Sequence, residues 1–108
     1  MDGESLKIDD VVRVSRGYEQ VALQDEARQK VDRCRRVLDE LAQTEVIYGI
    51  NTGFGALSNV TISPSELENL QLNLIRSHAA GVGPPLATDV TRAMMLLRAN
   101  TLAKGLSG

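Results

Sequence analysis

Tryptophan is absent from this sequence, and the remaining aromatics come to two tyrosines and one phenylalanine. A core made from such a chain must be aliphatic, built of Leu, Val, Ile, Met and Ala. The same scarcity argues against binding single-stranded nucleic acid, which depends on exposed rings for base stacking. With one cysteine, Cys34, no internal disulfide can form, and a reducing, cytoplasmic setting is expected. The place of Cys34 on an apolar helix stripe predicts a small buried side chain rather than a nucleophile. His78 is the only histidine, so a metal site would lack ligands and none is expected. No apolar run approaches the roughly 18 residues of a membrane span, and the acidic N-terminus has no signal-peptide character. Neither charge dominates: the formal net charge is −2. The densest basic group, Arg33, Arg35 and Arg36, is interleaved with Asp32, Asp39 and Glu40. That pattern is a solvated helix face, not a phosphate-tracking stripe.

What is present suffices for a folded domain, with 43% apolar and 24% charged residues in 108. The spacing predicts a mainly α fold of three to four helices with short β pieces. Helices are expected over about residues 9–16, 25–43, 64–80 and 89–104. The first opens at Asp9 or Asp10 and stops at Gly17. In the second, Ala27, Val31, Cys34, Leu38 and Leu41 fall on one face. The third begins at Ser63-Pro64-Ser65-Glu66, an N-cap serine with proline at N1 and a capping-box glutamate, and stops at Gly81. Its apolar stripe of Leu67, Leu70 and Leu74 continues onto His78, which is expected to point inward. Thr88 can cap the fourth helix, with Gly105 just past its end. Ala93 to Leu97 is apolar nearly all round, so that helix expects partners on several sides. Extended pieces are expected at Leu6–Ile8, Val21–Leu23, Val46–Ile50 and Val60–Ile62.

The candidate chemistry lies in Tyr48-Gly49-Ile50-Asn51-Thr52-Gly53-Phe54-Gly55 and in Ser77-His78-Ala79-Ala80-Gly81. The first stretch lacks the third glycine of a dinucleotide fingerprint and has no Gly-Lys-Ser/Thr, so nucleotide binding is not expected. Acid–base work by Tyr48 with His78 is the sharper reading. A phenol titrates near about 10, so acting as a base at neutrality requires about 4 kcal/mol of preferential phenolate stabilisation. His78 cannot supply that alone. On residue types only, both are as readily packing residues with one hydrogen bond each.

Three stretches then carry a resemblance: Tyr48 to Gly55, Leu70 to Gly83 (Leu-Gln-x-Asn-Leu-Ile-Arg-Ser-His-Ala-Ala-Gly-Val-Gly), and Arg92 to Gly108 (Arg-Ala-x-x-x-x-Arg-x-Asn-Thr-Leu-Ala-Lys-Gly-x-Ser-Gly). In register, they resemble the aromatic amino acid lyases from Val46 to Gly108, and the preceding residues fit that family loosely. The resemblance implies elimination of ammonia from an aromatic amino acid by an autocatalytic 4-methylidene-imidazol-5-one electrophile formed from an internal Ala-Ser-Gly. It implies that Tyr48 is the catalytic base, that Gly55 lets substrate approach the backbone, and that His78 contacts the substrate side chain. Phenylalanine-specific relatives carry an apolar residue at that last position, and tyrosine lyases carry His followed by Leu. His78-Ala79 therefore favours histidine as substrate, with urocanate as product. Tyrosine elimination, or a tyrosine 2,3-aminomutase, is the alternative, since such aminomutases share a similar Ser-His-x-Ala-Gly run. A non-catalytic helical interaction module is the alternative from another class. No Ala-Ser-Gly occurs in the sequence, and Leu106-Ser107-Gly108 is no substitute. The chain is therefore expected to be an N-terminal fragment, inactive and self-associating alone. The full-length enzyme is expected to be a cytoplasmic homotetramer in histidine degradation, acting on a small amino acid with no nucleic-acid or membrane partner.

Overall fold

The computed structural model describes residues 1–107 and is mainly helical, as expected. Four α-helices are formed: α1 Ile8–Gly17, α2 Asp25–Leu41, α3 Leu67–His78 and α4 Thr88–Leu102. Short 3-10 turns occupy Gly55–Leu57 and Pro64–Glu66. The expected β pieces reduce, among the described residues, to one antiparallel bridge between Thr52 and Thr61. None of the described helices is long and apolar enough to cross a membrane. The chain divides into two compact units: Met1–Val37 with the segment from Pro84 on, and Leu38–Gly83.

In the first unit α1 packs on α4. The α1 start differs from expectation. Lys7 is the N-cap, and Asp10 sits a turn inside, accepting the Lys7 N–H at 2.8 Å. That bond, with help from Arg13, holds the Asp10 carboxyl below its ordinary range. Gly17 does not stop the helix. Tyr18 adopts the left-handed conformation (φ +56°), an uncommon one for a residue with a Cβ. Arg92 of α4 accounts for it. Its Nε and Nη2 donate to the Val14 carbonyl at 3.2 and 2.9 Å, in the last turn of α1, and its guanidinium lies 4.3 Å from the Tyr18 ring centroid. A cation at a helix C-terminus satisfies orphan carbonyls and complements the macrodipole, and the ring seats on its face.

Asn100 of α4 accepts the Gly3 N–H at 3.1 Å, and the Met1 ammonium donates to the Ala22 carbonyl at 2.8 Å. Ala103 is the C-cap of α4, so Gly105 lies one residue further out than expected, with φ +67° and its N–H donating to Leu102 O at 3.0 Å. A Cβ there would lie 2.8 Å from the Lys30 backbone, so glycine also permits close contact with α2. The buried apolar residues are Ala27, Leu96 and Ala103, an aliphatic core as composition requires. Along α2, Val31, Cys34 and Leu38 are half-buried, while Leu41 is exposed. Cys34 is thus less buried than its stripe implied. Thr88 is the first residue of α4 rather than its cap; Ala87 takes that place. Met94, Met95, Leu97 and Leu102 of α4 are exposed, so the all-round apolar character stays partly uncovered.

Candidate active site

The second unit carries the Tyr48 stretch. Val46 to Ile50 does not form the expected strand, because the backbone bonds to itself. The Ile47 carbonyl accepts N–H bonds from Ile50 at 3.0 Å and Asn51 at 3.2 Å, closing a turn whose middle residues are Tyr48 and Gly49. Gly49 has φ +79°, the value the third residue of a type II turn requires. Tyr48 therefore sits at the tip of a turn, 64% exposed, its ring meeting Phe54 edge-on at 6.2 Å between centroids.

Two buried polar side chains hold this turn. Asn51 Oδ1 accepts the Ile47 N–H at 2.7 Å, and Nδ2 donates to the Ala42 carbonyl at 3.1 Å and the Glu45 carbonyl at 2.7 Å. Thr52 Oγ1 accepts the Gly49 N–H at 3.2 Å and donates to the Gly53 carbonyl at 3.0 Å. Both residues are buried, and neither could be so without these partners. The stretch then pairs with its return: Gly53 N–H to Val60 O at 3.0 Å and Ile62 N–H to Asn51 O at 2.9 Å. A Cβ on Gly53 would fall 2.6 Å from the Leu57 carbonyl, so glycine is needed there for space. Gly55 takes φ +56°, and a Cβ on it would meet nothing within 4 Å. Asn51 and Thr52 gave a sequence signal in their type alone: an amide and a hydroxyl inside a turn either face water or bond the backbone locally.

The α3 start also departs from expectation. Pro64–Glu66 form a 3-10 turn, Ser63 Oγ pairs with Ser65 Oγ at 3.0 Å, and Glu66 accepts from Asn69 at 3.2 Å, so no capping box forms. The helix ends at His78 with Ala79 as its cap, before Gly81. His78 is exposed, not inward. Helix phasing is right as far as Leu67, Leu70 and Leu74, which are half-buried, but phase cannot say whether the face is covered that far along. His78 Nδ1 lies 2.9 Å from the Leu74 carbonyl and 3.1 Å from Ser77 Oγ. A carbonyl only accepts, so the contact with Leu74 assigns a proton to Nδ1, and the corresponding neutral tautomer leaves Nε2 as an acceptor.

The structure does not bring Tyr48 and His78 into direct contact through any hydrogen bond or ring stacking among the described residues. It does relate them. Gln71 Nε2 reaches the Gly49 carbonyl at 3.5 Å, a long contact from α3 to the Tyr48 turn. His78 is seven residues further, within about 20° of two full helical turns and roughly 10 Å along the axis. The Tyr48 turn thus meets α3 at Gln71, on the face that also carries His78. Tyr48 and His78 are both exposed, so a phenol oxygen and an imidazole nitrogen are open to other groups. Among the described residues, no three His, Cys, Asp or Glu side chains cluster as metal ligands.

Comparisons with known proteins bear on this geometry. Residues 6–108 match the aromatic amino acid lyase family. Histidine ammonia-lyase of Alkaliphilus oremlandii is 51% identical over the whole chain, which covers 22% of that protein. For histidine ammonia-lyase of Streptococcus pyogenes serotype M3 the values are 47% and 21%. Among solved structures, tyrosine aminomutase from Streptomyces globisporus superposes with a TM-score of 0.90 at 41% identity, over 96% of this chain and 20% of that one. Pantoea agglomerans phenylalanine aminomutase gives 0.88 at 32% identity, with the same coverage. The chain thus spans about a fifth of the length of these relatives.

Proposed function

The chain belongs to the aromatic amino acid lyase family, and from that premise we propose that it forms one wall of an ammonia-lyase site that converts L-histidine to urocanate. The reading rests on one observation above others: identity near one half, along the whole chain, to relatives named histidine ammonia-lyase. In this reading Tyr48 accepts the proton lost from the substrate side-chain carbon next to the ring. Its exposure at the tip of a turn suits that role, because a base must reach its proton. Gly55 lets the substrate lie close to the backbone. His78 Nε2, left as an acceptor by the Nδ1 bond to Leu74, receives a hydrogen bond from the substrate imidazole N–H.

The family electrophile, 4-methylidene-imidazol-5-one, forms from an Ala-Ser-Gly that these 108 residues do not contain. When in place it supplies an electron-poor centre that makes the substrate amine a leaving group. Two side chains of this chain suit a site beside such a group: the Tyr48 hydroxyl and the His78 imidazole, both exposed. The complete enzyme is taken to be a cytoplasmic homotetramer without nucleic-acid or membrane partners, and this chain alone to be inactive.

The test uses the full-length enzyme. Tyr48→Phe is expected to abolish urocanate formation while leaving the fold and substrate binding intact; near-wild-type turnover would remove Tyr48 as the base. A second reading, a tyrosine 2,3-aminomutase, is favoured by the solved structures that match at 41–42% identity. Product analysis separates the two: urocanate from histidine supports the first, β-tyrosine from tyrosine the second.

A further inference from the structure

Tyr48 is exposed, and its contact with Phe54 is a single edge-on one. Packing therefore does little to aim the phenol, and the backbone must do so. The two amides flanking Tyr48 are each held by a buried side chain: the Ile47 N–H by Asn51 and the Gly49 N–H by Thr52. Asn51 goes further. Its two donors bind Ala42 O and Glu45 O, carbonyls just past the end of α2, so all the polar capacity aimed inward is used and the turn is tied to a rigid helix.

We infer that Asn51 is a positioning residue for the Tyr48 phenol: its side-chain amide registers the catalytic turn against the end of α2. The inference rests on the assignment of Tyr48 as the base. Misplacing a reacting group by about 1 Å costs on the order of 10²-fold in rate, so loosening this tie should slow proton removal far more than it weakens substrate binding. The chemistry of the tie is specific. An aspartate at this position keeps the acceptor for Ile47 N–H but, when ionised, sets a carboxylate against two carbonyls. When protonated it regains one donor.

The experiment is steady-state kinetics on the full-length enzyme with histidine, deuterated and undeuterated at the side-chain carbon, for wild type, Tyr48→Phe, Asn51→Ala and Asn51→Asp. Asn51→Ala is expected to lower kcat about 100-fold with KM little changed, and to raise the isotope effect on kcat as proton removal becomes limiting. Activity of Asn51→Asp relative to wild type should rise as pH falls and the new carboxyl protonates. Should Asn51→Ala fail to fold, the Asn51→Asp pH series decides alone. Wild-type kcat in Asn51→Ala overturns the inference. So does a loss of kcat that follows only the fraction of folded enzyme with an unchanged isotope effect, or a flat Asn51→Asp to wild-type ratio across pH. Turnover by Tyr48→Phe is a different failure, since it removes the base assignment itself.

Discussion

Replacing Arg92 by Ala should unfold the first unit more readily than any surface change of similar size. The side chain is half-buried and makes two charge-assisted bonds to Val14 O, at 3.2 and 2.9 Å. A hydrogen bond from a charged group contributes about 1.5–3 kcal/mol, and the guanidinium over Tyr18 adds about 0.5–1 kcal/mol. The loss should therefore be about 2–4 kcal/mol, which for a chain of this size lowers Tm by on the order of 10 °C or more. Arg92→Lys keeps the charge at the α1 C-terminus but not the planar fork, so it should recover only part of that loss. Arg92→Met keeps the apolar stem and no donor, and should behave nearly as the alanine variant. Chemical denaturation with a Tyr18→Leu double-mutant cycle measures each part, and the coupling between residues 92 and 18 should be about 0.5–1 kcal/mol. Amide exchange should show lost protection in α1 and α4. A loss under about 0.5 kcal/mol for Arg92→Ala, the size of an ordinary surface change, or a stable Arg92→Met, would refute the account of how α1 is capped.

Other outcomes follow from the same geometry. Gly105→Ala meets a positive φ and a Cβ 2.8 Å from Lys30 backbone, so denaturant melts should show a loss of about 3 kcal/mol or more from conformation and overpacking together. Gly17→Ala meets open space in a helix and should instead stabilise by about 0.5 kcal/mol; equal effects at the two sites would contradict the argument. Asp10 has its pKa lowered from 3.8 by the Lys7 N–H and Arg13. A depressed folded value adds stability above the unfolded value, and that stability is lost as pH falls through the folded one. The wild-type advantage in Tm over Asp10→Ala should thus be full at neutral pH and shrink below about pH 4; an advantage that grows in acid would reverse the sign. The exposed Met94, Met95 and Leu97 should make the isolated chain self-associate, since burying about 400 Å² of apolar surface contributes roughly 10 kcal/mol before entropy costs. Light scattering should show mass rising with concentration and falling back for Met95→Lys, whereas a monodisperse monomer at high concentration would count against it.

The four helices were legible because their signals are local: the α2 stripe, proline ahead of α3, and glycine after α4. Their caps were not, since Lys7, Tyr18 and Ala87 hold positions that local preference assigns to other residues. Tyr18 shows why. Its left-handed backbone is tolerated beside a guanidinium 74 residues away in sequence, a contact that no window of neighbouring residues contains. The Val46–Ile50 strand failed for a related reason. β-branched residues mark a segment that can pair, but among the described residues the pairing begins only at Thr52, and Gly49 with the Asn51 amide closes a turn first.

Tyr48 and His78 could be singled out in the sequence, but their settings could not. Periodicity could rank Tyr48 and His78 as facing somewhere; it could not say that both would be exposed. Within this chain neither is a core packing residue. A core tyrosine or histidine is enclosed by its own unit. Here, by contrast, the enclosed polar side chains are Asn51 and Thr52, which hold the turn, while the phenol and the imidazole face outward. With their hydrogen bonds met, the buried amide and hydroxyl rigidify the turn that carries the phenol. The chain spans about a fifth of its relatives' length, and within it the Tyr48 turn is backed by the chain's own buried residues while the phenol stays uncovered.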